Sequence, residues 1–487
     1  MKALDRIKER ISDATVLLQG SSLKSQSLRG MAVFSLGVVG DRGCRLVRNM
    51  ILARVIARQE FGLMAIVLTV TTVFEAFTEV GVRLSVIQNK DGADDDYLNA
   101  AWWLQAARGM ALALLGIMVA PLIAHFYHKP QLTDLLRVAF LAVFFRGLVS
   151  PRMSVLLKQL KYGRAVLLTQ GSGVIGTITA IGLTFVFRNV WALVIGFVAE
   201  SAILCLLSQI AVPLVPRFRI HRDSLAKLLK FGRGLAGSPI MTIIMLNADV
   251  IVLGKMISDT MLGMYSLGSQ LACVPATLYG MVVGPVLLPA FSKKQDEQEV
   301  IRRALIQVSG INAVVGIPLA ALMASCAGSI LSLFYGPEYK AVALPFALIS
   351  IAVFLRIETS VFSQVYLGIG RPELHRTFTV LRAVIVVCLI YPAIRLYGMS
   401  GAAAVLVLSN LITLGAQVVS MNKLTGLRAS VYGRSWLLGL ATAVIVVVPA
   451  GFMNYMFNDA SPWLIVSVVS TAYIGASLAG LLRLTTY

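Results

Sequence analysis

Apolar runs of about 20 residues recur along this 487-residue chain, and a helix of that length crosses a hydrocarbon core of about 30 Å. Fourteen can be delimited, at roughly 30–53, 61–88, 98–126, 135–157, 165–187, 190–212, 232–255, 262–290, 304–330, 341–369, 374–396, 399–422, 435–457 and 462–484. With 57% hydrophobic and 14% charged residues, the chain cannot be a water-soluble globule around one core. The expected fold class is an all-α integral membrane protein with about 14 transmembrane helices.

Fourteen ionisable residues fall inside these runs: Asp41, Arg42, Arg45, Arg48, Glu75, Glu79, Arg83, Arg108, Arg146, Glu200, Asp249, Arg356, Glu358 and Arg382. Each costs roughly 2.5–3.5 kcal/mol at a helix centre, so exposing all of them to lipid would cost on the order of 35–50 kcal/mol. That exceeds the stability of an ordinary protein. The side chains are therefore expected to line a water-accessible interior. Asp41, Arg42, Glu75, Arg146, Glu200, Arg356 and Glu358 lie near the middle of their runs, where snorkelling cannot rescue them.

Lys and Arg crowd alternate connections. If the N-terminus is cytoplasmic, the outer segments hold only Arg54, Arg58, Lys129, Arg188, Lys255, Lys340 and Arg395, and the inner ones hold most of the rest. Both termini are expected inside. This bias accounts for most of the +20 net charge and argues against nucleic acid, because the cations are spread through short loops. No connection is long enough for a soluble catalytic domain. Cys44, Cys205, Cys273, Cys326 and Cys388 are isolated, without disulfide or metal-ligand spacing, and His125 and His128 read as a loop end. Residues 1–29 lack the apolar core of a signal peptide. With Leu4, Ile7, Ile11, Ala14 and Leu18 at helical spacing among basic residues, they suggest a short cytoplasmic helix on the inner leaflet.

An internal match organises the chain. Leu52, Arg54, Ile56, Phe61, Gly62 and Leu63 align without gaps on Leu253, Lys255, Ile257, Leu262, Gly263 and Met264, 201 positions later. The repeat unit is then six helices long, and an even number gives two parallel units. The expected organisation is a cytoplasmic segment 1–29, an N-lobe 30–212, a basic linker 213–230, a C-lobe 231–423 and a C-terminal helix pair 424–487. The repeat also sets Arg48 opposite Asp249, which suggests either a pair between halves or independent partners within each.

At 100° per residue, Asp41, Arg45 and Arg48 fall within about 60° of one another, and Glu75, Glu79 and Arg83 within about 80°. The eight membrane cations are all arginine, whose planar fork matches phosphate oxygens bidentately. Their excess over six carboxylates points to an anionic cargo. The candidate cavity residues are Asp41, Arg42, Arg45, Arg48, Glu75, Glu79, Arg83, Asp249, Arg356, Glu358 and Arg382; Arg108, Arg146 and Glu200 read more as structural pairs. Glu75 and Glu79 either pair with arginines or couple transport to a proton or Na+ gradient. No catalytic residue, metal or organic cofactor is expected.

Several stretches carry a resemblance: LARVIARQEFGL (52–63), EVGV (79–82), VIQNKD (86–91) and AAWWL (100–104) in the first half, with LNADVIVLGK (246–255), LGMYS (262–266), VLLPAFS (286–292) and FYGPEY (334–339) in the second. Together they resemble bacterial polysaccharide transporters, the Wzx-type flippases of the multidrug, oligosaccharidyl-lipid and polysaccharide exporter (MOP) superfamily. The resemblance implies a two-lobed, MATE-like bundle that moves an undecaprenyl-diphosphate-linked oligosaccharide between leaflets by alternating access, for exopolysaccharide or a related surface polymer. It implies membrane lipid, a polysaccharide polymerase and chain-length or export proteins as partners. Arg42, Arg45 and Arg48 would hold the diphosphate, with Arg356 or Arg382 contributing from the other half. The competing readings are a cation-coupled drug exporter of the same superfamily, a lipid II flippase and an integral-membrane enzyme.

Overall fold

The computed structural model describes residues 23–77, 81–159, 161–218, 221–235, 238–456 and 461–484. The expected N-terminal surface helix lies almost wholly outside them, as does Glu79. The described chain is helical throughout and separates into two compact units, Met1–Ile243 and Ile244–Tyr487.

In the first unit, α1 (Leu23–Val55), α2 (Arg58–Phe77), α3 (Val82–Gln88), α4 (Asp95–Tyr127), α5 (Leu132–Gly147), α6 (Arg152–Lys158), α7 (Tyr162–Phe187) and α8 (Val190–Ala211) precede α9 (Arg222–Leu235). Helix α7 packs on α1 and α8, α4 on α5, and α5 on α8 and α2. The second unit takes over within α10 (Ser238–Met256) and continues with α11 (Asp259–Ala272), α12 (Val274–Val282), α13 (Gly284–Ser292), α14 (Gln298–Ser325) and α15 (Ala327–Tyr335). It ends with α16 (Ala343–Gly368), α17 (Pro372–Thr425), α18 (Ala429–Met456) and α19 (Pro462–Leu484). Here α14 packs on α16, α18 and α19, and α16 on α17 and α13.

Among the described residues, nine helices are long and apolar enough to cross a membrane, or ten if the bent stretch Asp259–Ser292 is one span. The differences from fourteen unbroken runs have local causes. The run expected at 135–157 breaks into α5 and α6 at Pro151, and that at 262–290 into α11, α12 and α13 near Pro275 and Pro285, because proline has no N–H to give the preceding turn. Helix α17, 54 residues long, is two helices meeting at Gly398, whose φ of 57° and ψ of −138° lie outside helical values. Helix α1 is 33 residues long but carries Asp41, Arg42, Arg45 and Arg48. Apolar side chains such as Leu36, Met118, Leu167 and Ile210 are largely exposed, as on a surface solvated by lipid. This is a multi-pass, all-helical membrane protein.

The internal match has a structural counterpart in each unit. Helix α1 ends at Val55 and α2 begins at Arg58; α10 ends at Met256 and α11 begins at Asp259, the same corner 201 residues on. Ile56 N–H donates to Leu52 O at 2.8 Å, and Ile257 N–H to Leu253 O at 3.0 Å. The aligned apolar residues Leu52, Phe61 and Leu63, and Leu253, Leu262 and Met264, are all buried. These six of the twelve repeated positions seat the corner in its own unit's core, whereas Arg54 and Lys255 are exposed.

The basic stretch after α8 is partly ordered as a helix. Arg217 O accepts from Asn99 Nδ2 (3.0 Å) and Trp103 Nε1 (2.9 Å). In α9, Leu228 is buried against Val82, Tyr97 and Leu98, and Lys227 on the outer face reaches Asp91 at 2.9 Å. That ammonium holds the Asp91 carboxyl below the usual carboxylate range.

Candidate functional site

Four polar clusters interrupt the apolar packing among the described residues. In the first unit, Arg45 of α1 donates from Nε to Asp41 Oδ2 at 2.8 Å, and from Nη1 and Nη2 to Glu200 Oε2 and Oε1 of α8 at 3.1 and 2.6 Å. Its fork is filled by two carboxylates. The local sequence makes this possible: Asp41 and Arg45 are one turn apart, and α7 passes them with glycines. A Cβ on Gly173 would stand 2.5 Å from Asp41 Oδ1 and 2.9 Å from Arg45 Nη2, and one on Gly176 would stand 2.6 Å from Glu200 Cβ. Arg42, 100° away around the helix, is exposed. Arg48 is half-buried and, among the described residues, donates only to the neighbouring Asn49 Oδ1, at 3.3 Å from two of its nitrogens.

The second cluster, also in the first unit, joins α2, α4 and α5. Arg146 Nη1 lies 3.2 Å from both Glu75 oxygens, its Nε donates to Ser201 Oγ at 3.2 Å, and its guanidinium sits 4.8 Å from the Phe197 ring centre. Arg108 Nη2 donates to the backbone oxygen of Glu75 at 2.7 Å. Glu75, Arg108 and Arg146 border a cavity of about 190 Å³. Arg83 of α3 is exposed.

In the second unit, Arg356 of α16 and Arg382 of α17 line a pocket with about 60 Å³ of free space, together with Asp249, Ser269, Cys273, Ser409 and Asn410. Arg356 Nη2 donates to Cys273 Sγ at 3.6 Å; Arg382 donates from Nε to Met245 Sδ at 3.0 Å and from Nη1 to Asn410 Oδ1 at 3.3 Å. Sulfur is a weak acceptor and an amide is neutral, so neither arginine has a hydrogen-bonded counter-ion among the described residues, although the Asp249 carboxylate on the same wall acts on Arg356 through space. The buried Asp249 is engaged elsewhere: its Oδ2 accepts from Tyr265 OH at 2.7 Å and its Oδ1 from Val250 N–H at 2.9 Å. This gives Asp249 a partner inside its own unit.

Glu358 does not share that pocket. Two residues from Arg356 is 200° around a helix, so the two side chains leave α16 on opposite sides. Glu358 is 0% exposed, with Oε2 accepting from Ser309 Oγ (2.5 Å) and Tyr432 OH (2.8 Å), while Trp436 Nε1 donates to Ser309 Oγ at 3.1 Å. It ties α14, α16 and α18 together. Arg45, Glu75 and Arg146 are likewise interlocked, whereas Arg42, Arg48, Arg356 and Arg382 make no ion pair among the described residues. Reasoning from charge missed the neutral members of these sites, Gln105, Asn410, Tyr265 and Cys273. A polar side chain in an apolar run was the available signal.

Comparison with known proteins gives this arrangement a family. Residues 51–344 match the family model described as "Polysaccharide biosynthesis protein". The chain is 23% identical over 391 residues to the lipopolysaccharide biosynthesis protein WzxC of Escherichia coli K12, covering 79% of this chain and 78% of that one. It is 23% identical over 351 residues to the succinoglycan biosynthesis transport protein ExoT of Rhizobium meliloti, covering 72% and 70%. Among solved structures, an inward closed lipid II flippase MurJ superposes with a TM-score of 0.75 at 16% identity, covering 92% of this chain and 98% of that one, which shows a shared fold. The match spans more than half of the chain, and the protein belongs to the Wzx-like family of polysaccharide biosynthesis proteins.

Proposed function

We propose that this protein carries undecaprenyl-diphosphate-linked oligosaccharide repeat units from the cytoplasmic to the periplasmic leaflet of the bacterial inner membrane by alternating access, supplying exopolysaccharide or a related surface polymer. The observation that carries this reading is the second-unit pocket, in which the hydrogen bonds of two arginines among the described residues go to sulfur and amide acceptors, while the Asp249 carboxylate beside them is held by Tyr265 and Val250. A diphosphate offers the charge they lack, in the planar geometry a guanidinium matches. Arg45 is reassigned from ligand to strut, since Asp41 and Glu200 occupy its donors. Arg42 and Arg48 remain the first unit's cations for the head group. In this reading about fourteen spans form six-helix lobes 30–212 and 231–423, joined in sequence by the linker 213–230 and followed by the helix pair 424–487, with both termini cytoplasmic. Polymerase and chain-length proteins receive the product, and the chemistry needs no catalytic residue.

The test is translocation of a labelled prenyl-diphosphate oligosaccharide in proteoliposomes. A hydrogen bond to a charged group is worth about 1.5–3 kcal/mol, so Arg356→Ala with Arg382→Ala together should slow transport by at least about tenfold while leaving the protein folded. Unchanged transport in the double variant overturns the head-group assignment. Export of an organic cation with no movement of lipid-linked sugar overturns the cargo class and selects the drug-exporter reading.

A further inference from the structure

The second-unit pocket sets two cations beside one carboxylate. Asp249 of α10 lines it with Arg356 and Arg382, and the two guanidiniums act on each other through space. A carboxylate in such company takes an arginine where it can, as Asp41 and Glu200 take Arg45 in the first unit. Asp249 instead accepts from Tyr265 OH at 2.7 Å and from the Val250 N–H at 2.9 Å, while Arg356 donates to Cys273 Sγ at 3.6 Å. Helix α11 keeps the two apart. Tyr265 lies within it and Cys273 just past its end, eight residues on, with Ser269 midway on the pocket wall. Eight residues span about 12 Å at the helical rise. Tyr265 is itself 1% exposed, so its hydroxyl is a fixed tether.

A hydroxyl and a backbone N–H satisfy the hydrogen bonding of a carboxylate but leave its charge. The strongest pairing open to the pocket's own side chains, carboxylate with guanidinium, is therefore unmade. The free space of about 60 Å³ holds a few water molecules, whose places the oxygens of one phosphate group can take. A cation is a poor ligand beside two arginines. For an anion, the carboxylate on the wall works against binding, which a purely structural Asp249–Tyr265 bond does not account for. A transporter has to release what it binds, and an anion of its own beside the binding arginine gives it the means.

We propose that Asp249 is an internal counter-ion that competes with the cargo's phosphate for Arg356, and that Tyr265 is the positioning residue that holds this carboxylate back while phosphate is bound. This rests on the flippase reading above and adds how the head group is let go: the carboxylate leaves Tyr265, pairs with Arg356 and displaces the phosphate. The experiment measures binding of inorganic pyrophosphate, and of a short-chain prenyl diphosphate, to the purified full-length protein by calorimetry. Asp249→Asn, which keeps the shape and loses the charge, should bind both about tenfold more tightly than wild type. Tyr265→Phe should bind them about tenfold more weakly, because the untethered carboxylate then occupies Arg356. The double variant should bind as Asp249→Asn does, since Tyr265 acts only through that charge. In proteoliposomes Asp249→Asn should lower KM and kcat together, tighter binding going with slower release. Equal affinities of Asp249→Asn and wild type, or the same weakening by Tyr265→Phe with and without Asp249→Asn, overturn the proposal and leave the flippase reading standing. Wild type that binds neither ligand, or binding that survives Arg356→Ala with Arg382→Ala, overturns both. A protein that takes pyrophosphate but not the prenyl diphosphate overturns the head-group reading alone, and the counter-ion role then applies to a free anion.

Discussion

Arg45 and Arg382 are the same side chain in helices of one membrane protein, yet their surroundings make them different objects. Arg45 meets Asp41 and Glu200 through three nitrogens, whereas Arg382 meets a thioether and an amide. Removing Arg45 would leave two carboxylates without their cation, one of them on a residue only 6% exposed. Because the pair to Glu200 is partly open to solvent, the expected loss is about 2 kcal/mol, below the value for a fully buried pair. Arg45→Ala and Glu200→Ala should each lower the unfolding midpoint in detergent, and the double variant should lose less than their sum. Strict additivity would mean the two side chains do not interact. Charge and depth were legible from the sequence at both arginines; the occupancy of the guanidinium was not, because Glu200 lies 155 residues from Arg45.

At the scale of elements, the glycines of α7 decide whether that pair can form. Gly173 faces Asp41 and Arg45 within van der Waals distance, whereas a Cβ on Gly171, half a turn away, would meet nothing within 4 Å. Gly173→Ala should therefore displace α1 or break the ion pair and lower the melting temperature. Gly171→Ala should be neutral or stabilising by about 0.5–1 kcal/mol, since alanine favours the helix. Equal effects of the two would remove the slot from the account. Helix α16 shows how far periodicity reaches: a spacing of two sends Arg356 and Glu358 to opposite sides, so one apolar run supplies both a pocket arginine and a core hydrogen-bond hub. The angle of about 200° between them keeps Glu358 out of the pocket that Arg356 lines. The breaks at Pro151 and Gly398 were visible as residues, but not as breaks, since a membrane helix can also carry either residue without ending.

At the scale of the whole molecule, each unit carries its own polar clusters, and the corner formed by α1 and α2 recurs between α10 and α11. The orientation inferred from Lys and Arg can be checked directly. In a background with all five native cysteines replaced, a cysteine at Arg188 should react with an impermeant maleimide from the periplasm, and one at Arg222 only after permeabilisation. Reversed labelling would invert the topology and with it the direction of transport proposed here.

Sequence alone determined the solvent, the helical class, the repeat and the family, because each rests on patterns along the chain: apolar length, charge between runs, a fixed offset and short ordered motifs. Only the tertiary structure decided which membrane charges are already satisfied. A guanidinium's availability depends on whichever carboxylate another helix brings within a few ångströms, and that distance is set by packing details such as a missing Cβ on α7. The same packing placed Gln105, an uncharged residue in an apolar run, on one cavity wall with two arginines and a carboxylate.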